Sequence, residues 1–304
     1  MMDTSLMYNA FMKDMPGTIL QFEAIGTKWM FSFSSVLSSA VSDELLVKVQ
    51  TRISAYDDVY SRFRDDTLVS KMAASAGDYE LPPDGPKLFE LYKKVYDITQ
   101  GKVTPLIGSV MEEAGYDKEY SLVPKTLHVP PSWEEAMSLD GRMLTMKQSA
   151  LIDIGAAGKG YLIDLVADVL RDAGQHSFTI DAGGDIVHKS ETNTPLRIGL
   201  ENPNDITSVI GSITLGNESI AGSAGNRRAW GKYHHIIDPM TLESPTDILA
   251  TWVIADSTLL ADMLATCLFF VPAEKLLGHF SFSYITLHKD FSVEYSPRIK
   301  AELY

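Results

Sequence analysis

Residues 153–185 read DIGAAGKGYLIDLVADVLRDAGQHSFTIDAGGD. Tyr161, Leu162, Leu165, Val166, Val169 and Leu170 recur at helical spacing on one face, while Asp164, Asp168 and Arg171 fall on the other, and Gly174 closes the helix. Phe178 and Ile180 then alternate as a strand that ends at the Ala182-Gly183-Gly184-Asp185 turn. A glycine-rich entry, an amphipathic helix and a strand ended by two glycines make one folding unit, and the rest of the chain extends from it.

Upstream, Gly26 to Ser35 (GTKWMFSFSS) reads as a strand. From Ser42, taken as an N-cap, a long amphipathic helix is expected through Leu45, Leu46, Val49, Ile53, Tyr56, Val59, Tyr60 and Phe63. A second helix is expected from about Pro86 to Gly101, with Leu88, Phe89, Tyr92, Val95 and Tyr96 on its apolar side. Asp117 to Asp140 shows little periodicity. Downstream, strands are expected near Leu196–Leu200, Val209–Leu215, His234–Ile237 and Thr251–Ile254, then a helix from Ser257 to Phe270. Helices and strands mix without a βαβ rhythm, which points to an α+β fold.

The chain has 304 residues, with 26 Lys and Arg against 40 Asp and Glu, for a net charge of −14. That charge repels phosphate backbones and argues against nucleic-acid binding. A single cysteine, Cys267, excludes a disulfide framework and a thiolate metal cage. No apolar run approaches the roughly 20 residues of a membrane span. Met1 to Lys13 lacks the basic start and apolar stretch of a signal peptide, so a cytoplasmic protein is the simplest expectation.

Four constellations could carry chemistry. Asp153-Ile-Gly-Ala-Ala-Gly-Lys-Gly-Tyr161 offers glycines for close approach, a helix N-terminus and the Lys159 charge, which together suit an anion; the alternative is a ligand-free turn. It is not a P-loop, because only two residues separate Gly155 from Gly158 and Gly160 follows the lysine. Asp262 and Thr266 lie four apart on a helix that is apolar on nearly every side. A carboxylate there requires a partner, either a hard metal ion such as Mg2+ or a neighbouring loop or arginine. In Tyr233-His-His-Ile-Ile-Asp-Pro239, strand alternation would put His235 and Ile237 on one face and His234 on the other; His235 is either a base or a satisfied strand histidine. Asp181-Ala-Gly-Gly-Asp185 by itself is a tight turn. Phe63 and Trp230 read as core or as stacking platforms.

In chain order, Asp153 to Tyr161, Ala182 to Ile186, His235 to Pro239 and Ala261 to Thr266, and with Gly26-Thr27, Ser61-Arg62-Phe63-Arg64 and Gly101-Lys-Val-Thr-Pro105 upstream, these motifs resemble the FAD:protein FMN transferase family, also called ApbE, from about Ile25 to Phe270. The resemblance implies an α+β fold related to T-folds, an antiparallel or mixed sheet backed by helices. It implies one large domain over residues 25–304, after an N-terminal extension of residues 1–24. It implies FAD as substrate, Mg2+, and transfer of the FMN half to a Thr or Ser hydroxyl of an acceptor flavoprotein, releasing AMP. By position, the carbonyl of Ala156, Asp262 and Thr266 would hold the metal. Ile25, Phe63, Lys102, Val103, Thr104, Asp153, Lys159 and Ile237 would contact FAD, and His235 would activate the acceptor hydroxyl.

The chain departs from the family pattern at several places. Phe63 replaces the usual Tyr, Thr104 an Asp, Met72 an Asn and Leu242 a Gly, and Gly222-Ser223-Ala224 stands for Thr-Ser-Gly. Two other functions use the same motifs: a Mg2+-dependent FAD pyrophosphatase, with water as acceptor, and a non-catalytic FAD-binding protein.

Overall fold

A computed structural model describes residues 17–297 and 299–304. Among them, eight strands form the main sheet: β1 (Ile19–Ala24), β2 (Thr27–Phe33), β3 (Phe178–Ala182), β4 (Asp185–Lys189), β5 (Ser219–Ala224), β6 (Ile248–Ala255), β7 (Ser283–His288) and β8 (Val293–Tyr295). They lie side by side in chain order, and each pair is antiparallel. Two of the hairpins close with two-residue loops, Ile25-Gly26 and Gly183-Gly184, whose four φ angles are all positive. That is the turn geometry whose twist matches the flanking strands, and glycine adopts it at no steric cost. Ile25 does so at φ 44°, an unusual conformation for a β-branched residue.

The long excursion between β2 and β3 carries helices α1 (Ser39–Tyr60), α2 (Gly85–Thr99) and α3 (Gly158–Asp172), and α4 (Thr258–Cys267) follows β6. These helices cover one face of the sheet. Strand alternation divides the apolar residues between two layers. Phe178, Ile180, Val187, Ala221, Val253 and Tyr284 pack with the helices. Ile186, Ile220, Ile254 and Ile285 face a second sheet made of Leu196–Asn202, Asp205–Leu215 and Ala301–Leu303. A third apolar cluster, with Tyr116, Trp230, Tyr233 and Ile237, sits beside the two-stranded ribbon Ala229–Trp230 and Tyr233–His234. A small sheet of Gly77–Glu80, Met143–Met146 and Met137–Asp140 completes the strand content of the described residues.

The α+β architecture and the sheet backed by helices match the expectation from sequence, and several details differ. Residues 19–24, assigned to an extension, form strand β1 and pair with β2 along its full length; residues 1–16 lie outside the described residues. Helix α1 starts at Ser39, three residues before the expected cap, because Ser38 Oγ accepts the Val41 N–H and Ser42 is already bonded to the Ser38 carbonyl. Helix α4 stops at Cys267, after which Phe269 and Phe270 turn back through tight bonds to Thr266 and Cys267. The strand expected at His234–Ile237 ends at His234, and the chain bends at His235, so strand alternation does not set the direction of that ring. Asp164, assigned to the solvent face of α3, accepts the N–H groups of Thr258 and Leu259, both at 2.9 Å, and so caps α4. Among the described residues, no helix is long and apolar enough to cross a membrane.

Candidate active site

The glycine-rich turn is held from both sides. The Asp153 N–H bonds to the Pro105 carbonyl at 2.8 Å, Asp153 Oδ1 accepts the Gly155 N–H at 2.6 Å, and Asp153 Oδ2 accepts Arg62 Nε at 2.5 Å. Tyr56 donates to the Gly158 carbonyl at 2.7 Å. At the start of α3, the Gly160 N–H donates to Asp262 Oδ2 at 2.8 Å. Position 160 must be glycine for this contact: a Cβ there would lie 2.2 Å from the Thr258 carbonyl oxygen and 2.7 Å from Asp262 Cβ. The close crossing of α3 and α4 therefore places a carboxylate at the positive end of a helix, where the dipole favours it.

Two buried carboxyls share this region. Asp262 is 5% exposed and Asp185, the first residue of β4, is fully buried. Burial holds Asp262 well above the usual carboxylate range; the charge of Asp185 adds to this, while Lys159 and the Gly160 N–H oppose it. Asp185 is raised by burial in the same way, against the pull of Lys159, whose Nζ lies 2.9 Å from its Oδ2. Asp185 Oδ1 accepts the Gly222 N–H at 3.2 Å. One lysine thus faces two carboxyls, and a further cation would relieve the imbalance.

The donor set suits a hard ion. Thr266 Oγ1 lies 3.5 Å from the Ala156 carbonyl oxygen, and Asp262 is one helical turn before Thr266. A carbonyl, a hydroxyl and a carboxylate are the oxygen ligands that Mg2+ accepts while keeping waters and sharing phosphate oxygens. Among the described residues there is no group of three or more His, Cys, Asp or Glu side chains that could hold a metal; an octahedral Mg2+ on these three oxygens would need waters or phosphate oxygens for the rest of its shell.

His235 stands at the bend after the short ribbon. Its N–H donates to the Arg228 carbonyl at 3.0 Å, while its Nδ1 is closed to solvent and has no hydrogen-bond partner. Burial, with Arg228, the His234 ring and Lys159 nearby, pushes its pKa down to about 3, so the ring is neutral at physiological pH. His234 differs: Nε2 meets the Pro245 carbonyl at 2.9 Å and Nδ1 accepts the Ile236 N–H at 3.2 Å, so both of its nitrogens serve the local fold.

The other predicted positions fall into three groups. Lys102 Nζ lies 3.4 Å from Asp238 Oδ2, which joins the Lys102-Val103-Thr104 turn to the segment holding Ile237; Val103 donates to Thr99 Oγ1, and Thr104 caps the Leu106 N–H. Ile25 is exposed at the β1–β2 tip, and Thr27, two residues on, crowds Gly183, where a Cβ would lie 2.3 Å from Thr27 Oγ1 and 4.0 Å from Lys159 Nζ. Phe63 is parallel to Tyr120, with centroids 5.4 Å apart, and meets Tyr116 edge-on at 5.8 Å. Tyr116 links this wall to the histidine segment, because its hydroxyl accepts Arg228 Nη1 at 2.9 Å.

Sequence reasoning did not single out Asp185, Arg62, Tyr116 or Arg228. The first two lie inside motifs already noted, an acid after Gly-Gly and an arginine before Phe63. Tyr116 and Arg228 are 112 residues apart, and nothing local marks them as partners.

The chain is similar to known proteins along most of its length. A FAD:protein FMN transferase of Vibrio cholerae serotype O1 is 28% identical over 248 residues, covering 77% of this chain and 73% of that protein. One from Klebsiella pneumoniae is 23% identical over 279 residues, covering 85% of this chain and 79% of its own. The solved structure of the flavin transferase ApbE from Vibrio cholerae superimposes with a TM-score of 0.76 at 21% identity, covering 92% of this chain and 96% of that one. The ApbE protein from Thermotoga maritima does so with a TM-score of 0.75 at 21% identity, covering 92% and 97%. The ApbE family profile matches residues 25–282, a span that holds the glycine-rich turn, both buried carboxyls and His235, and the chain belongs to the ApbE family.

Proposed function

We propose that this protein transfers FMN from FAD to a Thr or Ser hydroxyl of an acceptor flavoprotein and releases AMP, with His235 as the base and with Ala156, Asp262 and Thr266 as metal ligands. The observation that carries the mechanism is the neutral, unpartnered Nδ1 of His235, shut away from solvent in the region of Lys159. With the hydrogen on Nε2, Nδ1 can take the proton of the acceptor hydroxyl. The oxygen then bonds to the FMN-side phosphorus, the bond to the bridging oxygen breaks, and AMP leaves with that oxygen. A base held near pKa 3 is weak in the free protein, but the phosphate charges of bound FAD would raise its proton affinity.

Lys159, which also faces Asp185 and Asp262, and the N-terminus of α3 would offset part of the pyrophosphate charge in a chain of net charge −14. Mg2+, when bound, would supply further positive charge to the pyrophosphate and to the departing AMP. Ile25, Phe63, Lys102, Val103, Thr104, Asp153 and Ile237 would line the FAD site. Asp153 acts through structure, since both of its oxygens are already engaged by Gly155 and Arg62.

The test is incubation with FAD, Mg2+ and a candidate acceptor flavoprotein. Transfer gives an acceptor heavier by one FMN moiety in intact-mass spectrometry, with one AMP per adduct. AMP and free FMN at the same rate without acceptor would mark a pyrophosphatase instead, and FAD binding with no AMP at all a non-catalytic carrier.

A further inference from the structure

A guanidinium in a protein interior normally has its N–H groups answered. Arg62 does not. Its side chain is 4% exposed. Nε donates to Asp153 Oδ2 at 2.5 Å and Nη2 to the Tyr116 carbonyl at 2.9 Å, while Nη1 is buried without a partner. The guanidinium carbon lies 4.2 Å from the Phe63 ring centroid and 5.1 Å from that of Tyr116. The unanswered N–H therefore belongs to a group packed against aromatic rings, one of which, Phe63, is only partly buried.

A phosphate oxygen, a ribityl or ribose hydroxyl, or a ring carbonyl of FAD could answer it; counting charge excludes the first, and the aromatic rings packed around the guanidinium favour a flat ring's carbonyl over a sugar hydroxyl. The charge of Arg62 is already matched by Asp153. A phosphate at Nη1 would bring further negative charge beside that carboxylate. A carbonyl oxygen satisfies the N–H without adding net charge, and a flat ring carrying that carbonyl can take the place against Phe63 that Tyr120 fills in the free protein.

We propose that Arg62 is a flavin-binding residue whose Nη1–H donates to a pyrimidine carbonyl oxygen of the isoalloxazine ring while that ring lies against Phe63. The inference rests on the FMN-transfer reading above and adds to it the group that recognises the flavin half.

Arg62→Gln and Arg62→Lys test it. The lysine variant keeps a cation for Asp153 but lacks the fork, so it decides the matter if the glutamine variant fails to fold. Dissociation constants for FAD and ADP are measured by calorimetry with Mg2+ and no acceptor, together with the pH at which the flavin N3–H of bound FAD ionises. In Arg62→Lys, which keeps a cation for Asp153 and so the glycine-rich turn, FAD binding is expected to weaken roughly 10- to 100-fold, as for loss of a charge-assisted hydrogen bond, with ADP binding unchanged. The N3–H should ionise at higher pH in the variants, because a donor at a pyrimidine carbonyl stabilises the N3 anion. Equal losses for FAD and ADP, or no loss for either, would overturn the assignment. Failure of the unmodified protein to bind FAD would instead sink the FMN-transfer reading.

Discussion

Replacing Asp262 by Asn should stabilise the metal-free protein and abolish its response to Mg2+. The substitution keeps the shape and an oxygen able to accept the Gly160 N–H, which now donates to Asp262 at 2.8 Å, and it removes only the charge. The sign follows from proton linkage. Burial and the neighbouring Asp185 raise the Asp262 pKa, so the folded state binds this proton more tightly than the unfolded one. The contribution of Asp262 to stability is therefore greatest below the unfolded value of about 3.9, and it falls as pH rises from there through the folded pKa. At pH 8 without metal, the asparagine variant should exceed the unmodified protein by about 1–3 kcal/mol, the scale of an inadequately compensated buried group. At pH 5 the gap should narrow.

Mg2+ at about 100 times its Kd should add roughly 2.7 kcal/mol to the unmodified protein, or about 5 °C in Tm for a chain of this size, and nothing to the variant. Thermal unfolding across pH 5–8, in chelator and in excess Mg2+, reads both effects. An equal Mg2+ shift in the two proteins would refute the ligand assignment. A variant less stable than the unmodified protein in chelator at pH 8 would refute the electrostatic argument.

His235→Ala should bind FAD nearly normally and lose roughly 10²–10⁴-fold in transfer rate, whereas His234→Ala should chiefly lower Tm. Because the free-protein pKa of His235 is about 3, kcat/KM should show no acidic limb between pH 5 and 7 that disappears in His235→Ala. Lys159→Met leaves the buried Asp185 without its ion-pair partner; because Lys159 is 30% exposed, the loss at pH 7 should be about 2–3 kcal/mol, below the roughly 3–5 kcal/mol of a fully buried pair, with weaker FAD binding by calorimetry. Gly160→Ala forces a Cβ to within 2.2 Å of a backbone oxygen, and chemical denaturation should show a loss of roughly 1–3 kcal/mol.

Local patterning by itself determined much of this protein. The apolar stripe of Tyr161 to Leu170, the alternation at Phe178 and Ile180 and the paired glycines at 183 and 184 dictate a helix, a strand and a hairpin turn. Each depends only on residues a few positions apart, because helix and strand periods and φ preferences are properties of the backbone. The order of four motifs was likewise enough to point to the family. Sequence could not decide which polar residues meet. Asp164 occupies a helical position like that of Asp168, yet it caps α4, 94 residues away. His235 looks like a strand residue until the chain bends beneath it. Arg62 and Asp153 are 91 residues apart, and Tyr116 and Arg228 are 112 apart. These pairings, and the burial that moves the carboxyls and the imidazole away from their ordinary pKa values, exist only once the α3–α4 crossing and the sheet have excluded water. Desolvation depends on everything packed around a group, and no local sequence pattern records it.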